Sequence, residues 1–131
     1  MPTRRAARER ALELAYEGEQ RGMSASELLA DLPIEPDEYA RRVLVGIDEH
    51  REEIDAVIRK YSENWALERM PVLDRALLRI GTYELGWVPD VPAAVSITEA
   101  VELAKEYSTK DSGRFVNGLL ARIAEDLRAE P

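Results

Sequence analysis

Apolar residues recur along this chain at the three- and four-residue spacing of a helix almost everywhere, and no run of Val, Ile and Thr alternates as a half-buried strand would. The spacing predicts a first helix from a Thr3 cap through Gln20, burying Ala7, Ala11, Leu14 and Ala15 with Leu12 and Tyr16 on the neighbouring strip. Gly18 and Gly22 weaken its end. Ser24-x-x-Glu27 is a capping box that opens a short second helix, which stops before Pro33. A third helix is predicted over 36–61, with Tyr39, Val43, Leu44, Ile47, Ile54, Val57, Ile58 and Tyr61 as its apolar positions. Its centre, Asp48 to Glu53, is wholly polar, so either one helix bends there or two meet.

Pro71 favours the start of a fourth helix over 71–86, with Leu73, Leu77, Ile80 and Glu84 on one face. A second box, Ser96-x-x-Glu99, is expected to cap the next helix, which fades near Ser108. Asp111 or Ser112 is expected to cap the last, whose Phe115, Val116, Leu119, Leu120, Ile123 and Leu127 face inward. Gly118 interrupts that helix at a cost of about 1 kcal/mol relative to alanine, and close helix approach is the expected return. The pattern predicts an all-α fold: two small helical bundles packed together as one domain over 1–131, an N-terminal subdomain 1–61 and a C-terminal one 62–131, joined through the long third helix or the Trp65 region.

Composition narrows the chemistry. With 45% hydrophobic residues the chain supports a packed core. The absence of cysteine excludes disulfides, zinc–thiolate sites, iron–sulfur clusters and cysteine nucleophiles. His50 is the only histidine and lies among Asp48, Glu49, Glu52 and Glu53, a pattern of a solvated helix face. Neither a Walker motif nor a GxGxxG fingerprint occurs, so no enzyme, metal or cofactor is expected. No run of 18 apolar residues exists, so no membrane helix is expected, and no hydrophobic segment follows the basic start, so no secretory leader is either. A cytoplasmic protein is the expectation.

The net charge is −8, but it is unevenly spread. Residues 1–10 carry Arg4, Arg5, Arg8 and Arg10 against Glu9 alone, whereas residues 11–60 hold 13 acids and 6 bases. Arginine outnumbers lysine 15 to 3, which suits bidentate phosphate contacts and follows equally from a GC-rich genome. Arg4 and Arg8 share a helical face with Arg5 beside them. Positive charge at a helix N-terminus opposes the dipole, so these residues are either a solubilising end or a phosphate-contacting arm. Tyr16 lies two turns beyond Arg8 on nearly the same side, placed to stack on an unpaired base or simply to bury its ring. Asp111, Arg114 and Phe115 bring an acid, a cation and an aromatic to one helix start. Glu84 is a lone acid among Tyr83, Leu85 and Trp87, able to accept hydrogen bonds from a partner or a base edge.

Several of these segments stand in a familiar order. Leu78-Arg79-Ile80 with Tyr83-Glu84-Leu85, Val91-Pro92, Ile97-x-Glu99-Ala100-Val101-Glu102-Leu103-Ala104-Lys105 and Phe115-Val116-Asn117-Gly118-Leu119-Leu120, together with Ala7-Arg8-Glu9 and Ala15-Tyr16, resemble the NusB family of bacterial transcription antitermination factors over nearly the full chain. The resemblance implies a NusB-like fold of two helical bundles and a non-catalytic adaptor. Such an adaptor binds single-stranded boxA RNA of ribosomal leader transcripts with NusE, a small-ribosomal-subunit protein, within an RNA polymerase antitermination complex. It implies RNA-binding roles for Arg4, Arg5, Arg8, Tyr16, Asp111, Arg114 and Phe115, and a place for Glu84 at the RNA and partner surface. The first turn and the opening of the last helix are then expected side by side, and Arg8→Ala and Phe115→Ala are expected to weaken RNA binding without harming the fold. The alternative is a helical interaction module that homodimerises, hiding its arginine face. A methyltransferase-linked version of the domain is not expected, as no such segment follows.

Overall fold

Thr3 opens the first helix as its spacing predicts, its hydroxyl accepting from the Ala6 amide at 3.0 Å. The computed structural model describes residues 3–63 and 65–129. Within them lie α1 (Arg4–Arg21), α2 (Ala25–Asp31), α3 (Glu38–Glu49), α4 (Arg51–Ser62), a short 3₁₀ turn (Leu67–Arg69), α5 (Val72–Trp87), α6 (Ala93–Tyr107) and α7 (Lys110–Leu127), with no strand among the described residues.

α1 ends in a Schellman motif. Gly22 adopts φ 64°, its amide donates to the Glu19 carbonyl, and the Met23 amide donates to Gly18. The left-handed conformation is why glycine stands there. The Ser24–Glu27 capping box forms in both directions. The predicted third helix is two helices meeting at His50. The polar run offers nothing to bury, so the chain turns there. α3 lays Ala40, Val43, Leu44 and Ile47 toward α1, whereas α4 carries Ile54 and Ile58 to α5 and α7.

α5 is the axis of the molecule. Eleven of its sixteen residues are buried, because α1, α3, α4, α6 and α7 all pack on it. Two glycines allow this crowding. A Cβ on Gly46 would lie 2.3 Å from the Tyr83 ring, and one on Gly81 2.7 Å from the Leu120 side chain. The close approach expected at Gly118 is absent, for a Cβ there would meet nothing within 4 Å. Both ends of α5 are fastened by arginines. Arg128 donates to the carbonyls of Leu85, Glu84, Val88 and Val91 at 2.7–3.2 Å. Arg75 donates to those of Leu67 and Met70 and pairs with Glu19 of α1.

Two caps differ from expectation. α6 starts four residues early, directly after Pro92, whose fixed φ of −59° already suits a helix start. Ser96 therefore lies inside the helix and is buried. α7 is capped by Thr109, whose side chain accepts from the Ser112 amide, so Asp111 and Ser112 belong to its first turn.

Candidate nucleic-acid interface

Glu84 lies near the C-terminal end of α5, facing the first turns of α1. One of its oxygens accepts from Arg8 Nε at 2.8 Å and from the Tyr39 hydroxyl, and the other from Ser96 Oγ at 2.8 Å. Four helices are tied to one carboxylate. The Arg8 side chain is 4% exposed and that of Glu84 1%. The expectation that these two meet RNA or partner directly is corrected here. A buried carboxylate must satisfy its oxygens inside the protein, and it does so with the one arginine of the basic turn that points inward. Burial, then the hydrogen bond to Glu84, hold the Tyr39 hydroxyl well above the ordinary phenol range.

The other two arginines remain outside. Arg4 lies over the Tyr39 ring, its guanidinium 3.8 Å from the centroid. Arg5 donates through Nε and Nη2 to Glu99 of α6 at 2.8 and 2.6 Å, and that hydrogen bond raises its pKa further. The first turn of α1 has no acid of its own. Glu84 and Glu99 supply from neighbouring helices the negative charge that its dipole favours.

The opening of α7 lies elsewhere. Ser112 donates to Asp74 at 2.9 Å, and Asp74 stands ten residues before Glu84, about 15 Å along α5. Arg8 and Phe115 are thus held toward opposite ends of one helix rather than side by side. Between them runs a residue that the sequence reading missed. Tyr107, the last residue of α6, donates its hydroxyl to Glu9 of α1 at 2.5 Å, which pushes its pKa up to about 12. It also lines a groove of about 500 Å³ with Leu12, Tyr16 and Leu73, rimmed by Glu13 and Glu17. Both tyrosines are half-exposed. A tyrosine closing an acidic helix just before a capped start was the available signal.

Asp111 and Arg114 project into solvent, their side chains 92% and 80% exposed. Phe115 is half-buried, its ring 5.5 Å from that of Trp65. Arg4 and Arg5 thus lie on the α1 side with Tyr107 and Tyr16 further along it, while Asp111, Arg114 and Phe115 open α7 next to Trp65, two stretches of a candidate strip. Among the described residues no three His, Cys, Asp or Glu side chains form a metal-holding group, and His50 stacks on Trp87 at 4.7 Å. Among the described residues no helix is long and apolar enough to cross a membrane.

Comparison with known proteins follows the same outline. The NusB family profile matches residues 5–125. The transcription antitermination protein NusB of Kineococcus radiotolerans is 52% identical over 129 residues, covering 95% of both chains. That of Thermobifida fusca is 46% identical, covering 94% of this chain and 89% of its own. The solved structure of T. maritima NusB superposes with a TM-score of 0.85 at 40% identity, covering 95% of this chain and 92% of that one. A crystal structure of antitermination factors NusB and NusE in complex with dsRNA gives 0.81 at 29% identity, covering 94% and 96%.

Proposed function

The chain belongs to the NusB family, and from that premise we propose that it binds boxA-type RNA together with a NusE-type ribosomal protein, promoting readthrough of ribosomal RNA operons by RNA polymerase. It is a transcription antitermination adaptor, not a catalyst. The family match across residues 5–125 carries this reading, and a relative solved with NusE and dsRNA supports the pairing of partners, the preference for unpaired RNA being our own reading. The work is done in the cytoplasm, where the polymerase transcribes.

The strip described above is where we assign the RNA. Arg4 and Arg5 contact phosphates. Tyr16, Tyr107 and Phe115 offer rings to bases, and Asp111 and Arg114 offer an acceptor and a donor at the α7 start. Arg8 and Glu84 hold the basic turn in place from beneath. The cationic part of this strip is small on a body of net charge −8, so affinity alone is weak, and a basic partner supplies the remaining phosphate contacts while binding the acidic surface.

RNA affinity measured with and without NusE tests the proposal, using the same boxA sequence single-stranded and paired to its complement. Binding that tightens with NusE and prefers unpaired RNA is expected. Undetectable binding in every case defeats it. Gel filtration in the same experiment addresses self-association: a homodimer that persists with RNA present, with no RNA bound, favours the interaction-module alternative.

A further inference from the structure

α4 ends at Ser62, and Glu63 follows with φ 46°, the one non-glycine residue among those described in the left-handed region. Beyond this strained turn Trp65 is held at both backbone groups. Its amide donates to the Ser62 carbonyl and its carbonyl accepts from Ser62 Oγ, each at 3.0 Å. The indole leans on Phe115 at an interplanar angle of 43° and is still 50% exposed. Folding alone gains most by burying a tryptophan, so a costly backbone conformation at Glu63 followed by an exposed indole calls for another reason.

The surroundings indicate what it meets. On α7, Arg122 lies two turns beyond Phe115 on the same face, and Arg114 lies next to it in sequence. Both side chains are more than half exposed, and their ion pairs with Glu63 and Asp111 are long, at 3.8 Å. Gly118, one turn on from Phe115, leaves open space where a side chain would stand. An exposed pair of rings with cations nearby suits a nucleobase and its phosphates, whereas a protein hot spot sits within a wider well-packed patch.

We propose that Trp65 stacks an unpaired base of the bound RNA strand, extending the aromatic surface past Phe115, with Arg114 and Arg122 facing the adjoining phosphates. This rests on the RNA-binding reading above. Trp87 is stacked on His50 and Tyr83, so Trp87→Phe leaves Trp65 as the sole tryptophan. In that protein, titration with single-stranded boxA-type RNA in the presence of NusE quenches the indole emission. Trp65→Ala weakens RNA binding roughly fivefold to a hundredfold, the range of one base–aromatic stack, and Trp65→Phe recovers most of it. Emission unchanged at saturating RNA overturns the proposal. So does parental RNA affinity in Trp65→Ala while Arg5→Ala weakens binding, a result that leaves the RNA site standing and removes Trp65 from it. Loss of NusE with RNA affinity intact assigns the indole to a protein contact and overturns it equally. No RNA binding by any protein, parent included, defeats the underlying function itself. Should Trp65→Ala lose helicity by circular dichroism, quenching in Trp87→Phe decides alone.

Discussion

The two ends of α5 carry the same kinds of residue and put them to opposite uses. Toward its C-terminal end an arginine, a glutamate, a tyrosine and a serine close on one another beneath the first turn of α1, out of reach of solvent. Toward its N-terminal end Tyr107 and Tyr16 stay partly exposed beside Leu73, and Trp65 and Phe115 stay partly exposed with the solvent-facing Arg114 and Arg122 on the same helix as Phe115. Charged and aromatic residue types do not separate a structural cluster from the surface proposed for RNA. What separates them is burial: the Arg8 and Glu84 side chains are shut away from solvent, whereas the rings and cations at the other end keep much of their surface in water.

The largest effect expected from this contrast lies at the saturated end. Glu84→Ala leaves Arg8 buried without its counter-charge, and breaking such a pair costs about 3–5 kcal/mol. Urea denaturation should show that loss, and Arg8→Ala should show one of the same order. The earlier expectation that Arg8→Ala spares the fold is reversed on these grounds. If both variants melt like the parent, the two ends are not different in kind.

At the open end the order inverts. Phe115→Ala is expected to lower RNA affinity by about 1–3 kcal/mol while costing less stability than Glu84→Ala. Parallel titration and denaturation of the two variants would display the crossover, and a Phe115→Ala protein that unfolds first would return the ring to the core.

A smaller effect is read on the alkaline side. Tyr39 titrates above its ordinary value of 10.0 in the folded protein because burial and Glu84 favour its neutral form. Its contribution to stability is therefore complete below about pH 10 and is lost as pH rises toward the folded value, where the unfolded chain ionises first. Tyr39→Phe removes that slope, so its stability falls less steeply than the parent's above pH 10. Tyr107→Phe, at an exposed site, changes the slope less.

The smallest gain is expected at Gly118, read against a glycine where the same change is harmful. Gly118→Ala gains up to about 1 kcal/mol of helix propensity, since nothing opposes the added methyl. Gly46→Ala drives a Cβ into the Tyr83 ring and destabilises by about 1–3 kcal/mol. Thermal melts of the pair should move in opposite directions.

Local chemistry was legible in the sequence, and distant partners were not. The Thr3 cap and the Ser24–Glu27 box involve residues three apart, and both form where the spacing places them. Ser96-x-x-Glu99 has the same spacing and fails as a cap, because Ser96 bonds to Glu84 twelve residues upstream and Glu99 to Arg5 on another helix. Arg8 looked like an exposed cation because its partner is 76 residues away. Tyr107 and Trp65 went unrecognised for a related reason: what makes each conspicuous is a contact across the fold, to Glu9 and Phe115.

Arg128 has a consequence for handling the protein. One guanidinium, contributed from the tail end of the chain, satisfies four backbone oxygens roughly forty residues earlier, where α5 gives way to the next loop. Trimming the chain by proteolysis just ahead of that arginine would unlatch a region no one would think of as terminal. An affinity tag or fluorophore attached at this end belongs beyond the latch, on a spacer that lets the last turn stay docked.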